Sequence, residues 1–180
     1  MDKTHQSAVV IIPPREVWEP IQAIRRAHDK RFARWMPHLT LMYPFVPKRE
    51  FTKVLPDLAQ VGWAQKPFEL TLARFNSFRH GQGGYIVWLE PTPAERVVAL
   101  QRALTRALPH FGDTGSSQDG FTPHLSVGQV GGVSELKKLL RDLERDWQPL
   151  SFTVSEISLI SRKNPPNDRF QVNQRILLEG

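Results

Sequence analysis

Two short segments of the chain share one pattern of side chains that could transfer protons. Residues 37–41 read Pro-His-Leu-Thr-Leu, and residues 123–127 read Pro-His-Leu-Ser-Val. Each segment places an imidazole two residues before a hydroxyl, and the two segments lie nearly half the chain apart. Because histidine changes its charge near neutral pH, two histidines can act as an acid and a base in one reaction. The pattern therefore indicates a proton-transfer site assembled from both halves of the chain.

The chemistry that these residues favour is the cleavage of a phosphodiester. In a β-strand, His38 and Thr40 would share one face and the apolar residues between them the other, and the same holds for His124 and Ser126. One imidazole could take the proton of an attacking water while the other protonates the departing oxygen. The two hydroxyls could then donate hydrogen bonds to the phosphate oxygens on which charge develops.

The rest of the sequence alternates strand patterns with amphipathic helix patterns. Strands are predicted at residues 8–12, 38–42, 68–72, 85–90, 124–129, 152–159 (with a slip of alternation near 155–156, which suggests a bulge) and 170–178. Helices are predicted at residues 15–34, 50–61 and 91–108, and after Gly132, where Ser134 is the expected N-cap. Glycines predict flexible loops at 76–84 and 112–120, and a basic loop is predicted at 162–169.

This order of elements predicts an α+β fold. We expect one bilobal domain over residues 1–180, made of duplicated β-α-β units related by pseudo-twofold symmetry. Two antiparallel-rich sheets would face a central cleft, with the helices on the outside. Each half would then contribute one histidine motif to the cleft.

Composition limits the classes of function. The chain carries a net charge of +6, which favours polyanionic partners such as nucleic acid or alternatively serves only solubility. It contains no cysteine, so disulfides and thiolate zinc sites are excluded. The apolar run at residues 8–12 is too short to span a bilayer or to act as a signal sequence. We therefore expect a cytoplasmic protein with no membrane partner.

Other catalytic arrangements lack their signatures. A metal site on the two histidines would need a further carboxylate or imidazole, and neither motif contains one. The chain has no His-Glu-x-x-His pattern and no Gly-x-Ser-x-Gly elbow. We expect no metal and no other cofactor. The other four histidines are expected at the surface, with His80 able to close over a ligand: His5, His28, His80 and His110.

The paired motifs resemble those of the 2H phosphoesterase superfamily. Residues 35–45, 124–129 and 159–162 are similar to its 2′-5′ RNA ligase-like branch. The resemblance implies a bilobal fold and a metal-independent reaction on RNA ends or nucleotides that bear a 2′,3′-cyclic phosphate, opened to a 2′-phosphate. It implies that His38 is the acid for the ribose leaving oxygen and that His124 is the base, with the roles exchanged in the reverse reaction.

Three further residues are candidates for substrate binding. Tyr43 and Phe121 could stack on a base, with core packing as the alternative, and Arg162 could hold a phosphate in a bidentate fork. Bacterial members of the family place an arginine three residues after the second hydroxyl, where this chain has Gln129. The cation would then come from Arg162, Lys163 or Arg79, or substrate choice would differ.

The resulting hypothesis is a metal-independent phosphodiesterase that acts as a monomer on RNA ends or cyclic nucleotides. Two alternatives stay open. One is a 2′-5′ RNA ligase, whose activity the substitution at Gln129 puts in doubt. The other is a non-catalytic module that binds RNA ends in the same basic cleft.

Overall fold

The computed structural model describes residues 1–81, 83–115, 120–164 and 168–180. Parts of the predicted loops at 76–84, 112–120 and 162–169 lie outside these ranges. Within them no helix has the length and apolar character needed to cross a bilayer. The strands of the described chain are β1 (Ser7–Ile11), β2 (Leu39–Met42), β3 (Phe68–His80), β4 (Gly84–Thr92), β5 (Leu125–Gly131), β6 (Leu150–Val154), β7 (Glu156–Ser161) and β8 (Gln171–Leu177). The α-helices are α1 (Trp18–His28), α2 (Phe51–Trp63), α3 (Ala94–Ala107) and α4 (Val133–Asp146).

The strands form two four-stranded sheets in which all neighbours are antiparallel. The order of the first sheet is β2-β1-β7-β8, and that of the second is β5-β4-β3-β6. The two strands that carry the histidine motifs, β2 and β5, are therefore equivalent edge strands. This arrangement confirms the prediction of an α+β fold with two antiparallel sheets.

The two sheets are built from equivalent β-α-β units. The unit β1-α1-β2 supplies the edge strand and its neighbour in the first sheet, and the unit β4-α3-β5 supplies the corresponding pair in the second. Helix α1 packs against β5 of the other sheet, helix α3 packs against β2, and the edge strands β2 and β5 contact each other. These reciprocal contacts confirm the predicted duplication and bring the two histidine motifs to one junction.

The strand predicted at residues 152–159 is two strands that belong to different sheets. Phe152 of β6 pairs with Leu70 of β3, whereas Ile157 of β7 pairs with Ile176 of β8. The chain passes from one sheet to the other at Ser155, which lies between β6 and β7. The slip in the alternation therefore marks this crossing, and the predicted bulge was wrong.

The edge strands are apolar on one side only. Leu39 and Leu41 are completely buried in the core, as are Leu125 and Val127 on the other edge strand. The histidines and hydroxyls between them retain partial exposure. The alternation predicted for both motifs is confirmed, because burial of the leucine and valine side chains fixes which face the polar residues occupy.

Several predicted boundaries were wrong. Strand β3 continues to His80 and β4 begins at Gly84, so most of the loop predicted at 76–84 is a long hairpin. Helix α1 ends at His28, and residues 30–34 form turns. Helix α4 begins after Gly132, whose positive φ of 93° suits glycine, and Ser134 is not its N-cap.

Candidate active site

A cleft of about 830 Å³ opens beside the two edge strands. Thr40 lines the cleft from β2, His38 lines it from the position just before β2, and Ser126 lines it from β5. His124 precedes β5 and lies two residues before Ser126. Three of the four polar motif residues therefore line the cleft. His124 is not among the lining residues, but its charge lowers the pKa of His38, so the two imidazoles lie near each other.

The two imidazoles are held in the same way. The Nδ1 atom of His38 lies 2.7 Å from the carbonyl oxygen of Met36, and that of His124 lies 2.9 Å from the carbonyl oxygen of Thr122. A carbonyl oxygen only accepts hydrogen bonds, so each Nδ1 carries the proton in the neutral ring. Each Nε2 is therefore the atom available to exchange a proton with a ligand.

Both imidazoles favour the neutral form. The pKa of His38 is lowered from 6.5 to about 4, chiefly by burial and also by the positive charges of Arg25 and His124, against the opposing effect of the Met36 carbonyl. Burial also lowers the pKa of His124, while the Thr122 carbonyl opposes this shift. The effect of His124 on His38 means that the two charges are close enough to repel. A bound phosphate anion would reverse this effect and raise both pKa values.

Each imidazole also contacts an indole ring. Trp35 stacks on His38 with ring centroids 4.5 Å apart, and it stacks on Phe170 at 3.8 Å. His124 meets the edge of Trp88 at a centroid distance of 5.9 Å. Sequence reasoning missed both tryptophans as site residues. The pairing of Trp88 with Ser126 across β4 and β5 depends on strand register, which the sequence pattern does not give.

The indole of Trp88 belongs to an aromatic pair on the second sheet. Trp88 stacks on Phe78 with centroids 4.8 Å apart, and Phe78 meets His124 edge-on at 5.1 Å. Trp88 is 4% exposed, and its Nε1 has no hydrogen-bond partner within the described parts of the chain. His124 is therefore flanked by two rings that restrict its orientation.

A tight turn after α1 brings positive charge to the cleft. The buried ion pair between Arg25 and Asp29, 2.8 Å long, fixes the start of this turn. Asp29 also accepts a hydrogen bond from the backbone N–H of Arg31 at 2.8 Å. Lys30 and Arg31 are exposed and line the cleft. The sequence pattern places both residues in the helix predicted at 15–34, whereas they lie in the turn after α1.

The side chain of Gln129 secures the same turn from β5. Its Oε1 accepts the backbone N–H of Lys30 at 2.9 Å, and its Nε2 donates to Asp29 at 3.2 Å. The glutamine therefore links the second sheet to the turn that carries the cleft cations. Lys30 and Arg31 therefore bring positive charge next to Gln129, on the turn that this glutamine holds.

The predicted substrate-binding residues occupy different places. Tyr43 lines the cleft, and its hydroxyl donates to the carbonyl of His5 at 3.2 Å. Phe121 packs against the core and is not among the cleft-lining residues. Arg162 also lies outside the cleft lining, with its guanidinium 5.6 Å from the ring centre of Phe170. The structure brings only Tyr43 of these three into the cleft.

The remaining candidates divide in the same way. His80 lines the cleft, as its position next to the glycine turn suggested, whereas Lys163 and Arg79 do not. Across the described ranges, no group of three or more histidine, cysteine, aspartate or glutamate side chains is arranged to hold a metal ion.

Comparison with known proteins relates this fold and site to a family. The model of the 2′-5′ RNA ligase superfamily matches residues 13–166. A Geobacillus kaustophilus protein named "Putative phosphoesterase GK0864" is 25% identical over 122 residues, which cover 67% of each chain. A relative of the same kind from Shouchella clausii is 23% identical over 175 residues, 96% of this chain and 98% of that one.

Solved structures share the fold at lower identity. E. coli LigT complexed with 3′-AMP superposes with a TM-score of 0.67 at 20% identity, over 98% of this chain and 99% of that chain. TT0787 of Thermus thermophilus superposes with a TM-score of 0.66 at 17% identity, over 97% and 98% of the two chains. Since the family match extends over most of the sequence, from the end of β1 to the segment after β7, the chain belongs to the 2′-5′ RNA ligase superfamily.

Proposed function

We propose that this protein is a metal-independent phosphodiesterase that opens 2′,3′-cyclic phosphates at RNA ends or on nucleotides. The observation that carries the proposal is the equivalence of the two imidazoles. Both precede a hydroxyl on an edge strand, and both have Nδ1 bonded to the carbonyl two residues earlier. The phosphoesterase names of the relatives and the 3′-AMP bound by E. coli LigT support a phosphorylated ribose as the substrate.

In the proposed reaction, water attacks the phosphorus opposite the ribose 3′-oxygen. Nε2 of His124 takes one proton from the water as the new phosphorus–oxygen bond forms. The bond to the 3′-oxygen breaks, and that oxygen receives a proton from Nε2 of His38. The phosphate stays on the 2′-oxygen, and the proton lost by one ring balances the proton gained by the other.

The two hydroxyls and the turn that carries Lys30 and Arg31 stabilise the negative charge that develops on the phosphate. Thr40 and Ser126 donate hydrogen bonds to the non-bridging oxygens, where negative charge increases in the transition state. Lys30 and Arg31 line the same cleft and lower the electrostatic energy of the phosphate. The reaction also needs one proton on the pair of imidazoles. The substrate anion itself favours that proton, because it raises the lowered pKa values of both rings.

The test is hydrolysis of an RNA that ends in a 2′,3′-cyclic phosphate, in the presence of a chelator and with separation of 2′- from 3′-phosphate products. We expect a 2′-phosphate, and we expect His38→Ala and His124→Ala each to lower kcat by about 10²–10⁴-fold. His110→Ala is the matched control, because His110 is exposed and its imidazole contacts the Met1 carbonyl and Phe111 rather than either motif. Circular dichroism confirms that each variant is folded.

Three results would contradict this proposal. Loss of activity in chelator would indicate a metal enzyme, and wild-type turnover by His38→Ala would exclude two-histidine catalysis. Tight binding of the RNA end without any turnover by the unmodified protein would indicate a non-catalytic binding module.

The description of the matched family favours RNA ligation as a second activity of the same site. If a 5′-hydroxyl takes the place of water, the same exchange of protons joins two RNAs through a 2′-5′ linkage. Incubation of an RNA with a 2′,3′-cyclic phosphate and an RNA with a 5′-hydroxyl tests this activity. A joined product that the His124→Ala variant no longer forms supports the ligase activity. If no joined product forms under conditions in which the cyclic phosphate is hydrolysed, the ligase activity is excluded.

A further inference from the structure

Three cavities, the first of which is the cleft, are linked by lining residues that they share. A second cavity of about 290 Å³ is lined by Lys30, Arg31, Ala33, Arg34, Asp168 and Arg169. Lys30 and Arg31 line the cleft as well, so they connect the first cavity to the second. Arg169 also lines a third cavity of about 660 Å³, which contains Arg15, Trp18 and Arg175. We call this series the basic track.

The basic track carries positive charge that the protein itself does not neutralise. Among the described residues, no carboxylate forms an ion pair with Lys30, Arg31, Arg169 or Arg15, and all four side chains are exposed. Because unpaired exposed cations along one path attract a polyanion, the track is suited to a chain of phosphates.

The acidic residues of the track are mostly paired within it. Asp168 bonds to Arg34 at 2.5 Å, and Glu156 bonds to Arg175 at 3.3 Å. Glu16 is the acidic lining residue that has no ion pair within the described ranges. These two carboxylates therefore neutralise Arg34 and Arg175, and they leave the four exposed cations without an ion pair.

One of these cations, Arg15, lines the third cavity and stacks on an aromatic ring. The guanidinium of Arg15 lies 3.8 Å from the ring centre of Trp18, and the indole N–H of Trp18 donates to the Pro13 carbonyl at 2.7 Å. An arginine already stacked on a fixed ring loses little conformational freedom when it binds a phosphate. Aromatic rings beside cations are also the usual surface for single-stranded nucleic acid.

We propose that the basic track binds the ribose–phosphate backbone of a single RNA strand whose cyclic end lies in the cleft. The inference rests on the proposed function, because the cleft must receive that end. Continuity with the cleft favours the strand of the substrate itself over an unrelated polyanion. Cavities of these volumes accept small units such as successive nucleotides rather than the broad surface of a duplex. The protein is thus an enzyme of RNA strands, with free cyclic nucleotides as poor substrates.

The experiment compares a 2′,3′-cyclic mononucleotide with a single-stranded octanucleotide that has the same cyclic end. The track variant is Arg15→Glu combined with Arg169→Glu. The matched control is Arg102→Glu combined with Arg141→Glu, which changes the charge equally at exposed residues outside the three cavities. We expect the track variant to lose about tenfold or more in kcat/KM on the octanucleotide and to change less than about twofold on the mononucleotide. The control should change less than about twofold on both.

Salt dependence gives an independent measure. If the track contacts two phosphates, log kcat/KM for the octanucleotide should fall with log salt more steeply than for the mononucleotide, by about 1.4 in slope. The track variant should lose this extra slope and the control should keep it.

The failure of this inference is distinguishable from the failure of the proposed function. Equal kcat/KM of the unmodified protein on both substrates, or equal losses in track and control variants, overturns the track and leaves hydrolysis intact. If neither substrate is hydrolysed, the proposed function fails. Fluorescence anisotropy of a labelled octanucleotide then still tests whether the track binds RNA. Weaker binding by the track variant alone supports it, whereas unchanged binding, or track-dependent binding to phosphatidylserine vesicles without RNA binding, overturns it.

Discussion

The indole ring of Trp35 lies almost parallel to the imidazole of His38, with their planes 14° apart and their centroids 4.5 Å apart. The indole also stacks on Phe170, and the Trp35 carbonyl accepts a hydrogen bond from buried Arg25 at 2.9 Å. His38 is therefore held at its Nδ1 by Met36 and across its ring by Trp35. This contact makes Trp35 a positioning residue for the proposed acid.

Replacement of Trp35 should loosen His38 and expose it to water. We expect Trp35→Ala to lower kcat by roughly 10–10²-fold, because small misplacements of a catalytic group are costly. The pKa of His38 should move up from about 4 toward 6.5, since burial is the main cause of its depression. NMR titration of the imidazole measures this shift. Trp35→Phe keeps a stacked ring and should retain most activity, and an unchanged His38 pKa in Trp35→Ala would contradict the assignment.

The pH profile of the reaction should follow the lowered histidine pKa values. The proposed reaction needs one proton on the pair, and in the free protein both pKa values lie below 6.5. Because kcat/KM reports the free enzyme, its optimum should lie below pH 6.5 and its value should fall as pH rises through neutrality. Bound phosphate raises both pKa values, so the optimum of kcat should lie at higher pH. Coincident optima above pH 7 would be inconsistent with this account.

The same shift should make stability depend on pH. The pKa of His38 is about 4 in the folded chain and 6.5 in the unfolded chain, so the unfolded chain binds more protons between these values. The free energy of unfolding should therefore decrease as pH falls from about 6.5 to about 4. His38→Gln removes this titration, and its melting temperature should decline less over that range. An equally steep decline in both proteins would show that His38 does not contribute.

The two hydroxyls should matter for kcat more than for substrate affinity. Thr40→Ala and Ser126→Ala should each lower kcat by about 10²–10³-fold, the usual effect of removing one donor to a developing anion. Thr40→Ser and Ser126→Thr keep the donor and serve as matched variants. A large rise in KM with unchanged kcat in the alanine variants would instead assign the hydroxyls to ground-state binding.

Gly128 of β5 controls the distance between the second sheet and the basic turn. A Cβ atom at this position would lie 2.6 Å from the Cβ of His28, at the end of α1. We expect Gly128→Ala to displace the turn that carries Lys30, to destabilise the fold by about 1–3 kcal/mol and to raise KM. Thermal unfolding and steady-state kinetics measure these effects. His28→Gly removes the clashing atom and should restore part of the loss; no recovery would refute the steric explanation.

Much of the fold follows from local patterns in the sequence. The alternation of apolar and polar residues predicted the strands around both motifs, because burial of Leu39 and Leu125 decides the register of each edge. The crossing at Ser155 could not be predicted, since two short strands in line look like one interrupted strand. Helix α1 was predicted too long because the basic residues after His28 have good helix propensity. In the structure, the Asp29 side chain instead binds Arg25 and Gln129.

The candidate site was predictable where it depends on spacing and not where it depends on register. His38 and Ser126 reach the cleft because a strand places every second residue on one face. Lys30 approaches the cleft through a hydrogen bond to Gln129, far away in sequence. Trp88 meets His124 only because β4 pairs with β5 in one particular register. No local pattern contains these long-range pairings.

The two sheets exchange strands, and this links the two histidines to the order of the whole chain. Strand β3 follows the first β-α-β unit yet pairs with β4 of the second, and β7 follows the second unit yet pairs with β1 of the first. An isolated half would leave an open backbone edge where the exchanged strand belongs, and open edges recruit other chains. Strand pairing therefore links the two walls of the cleft, and we expect a truncation that removes β7 to disrupt the His38 side of the cleft although His38 itself is retained.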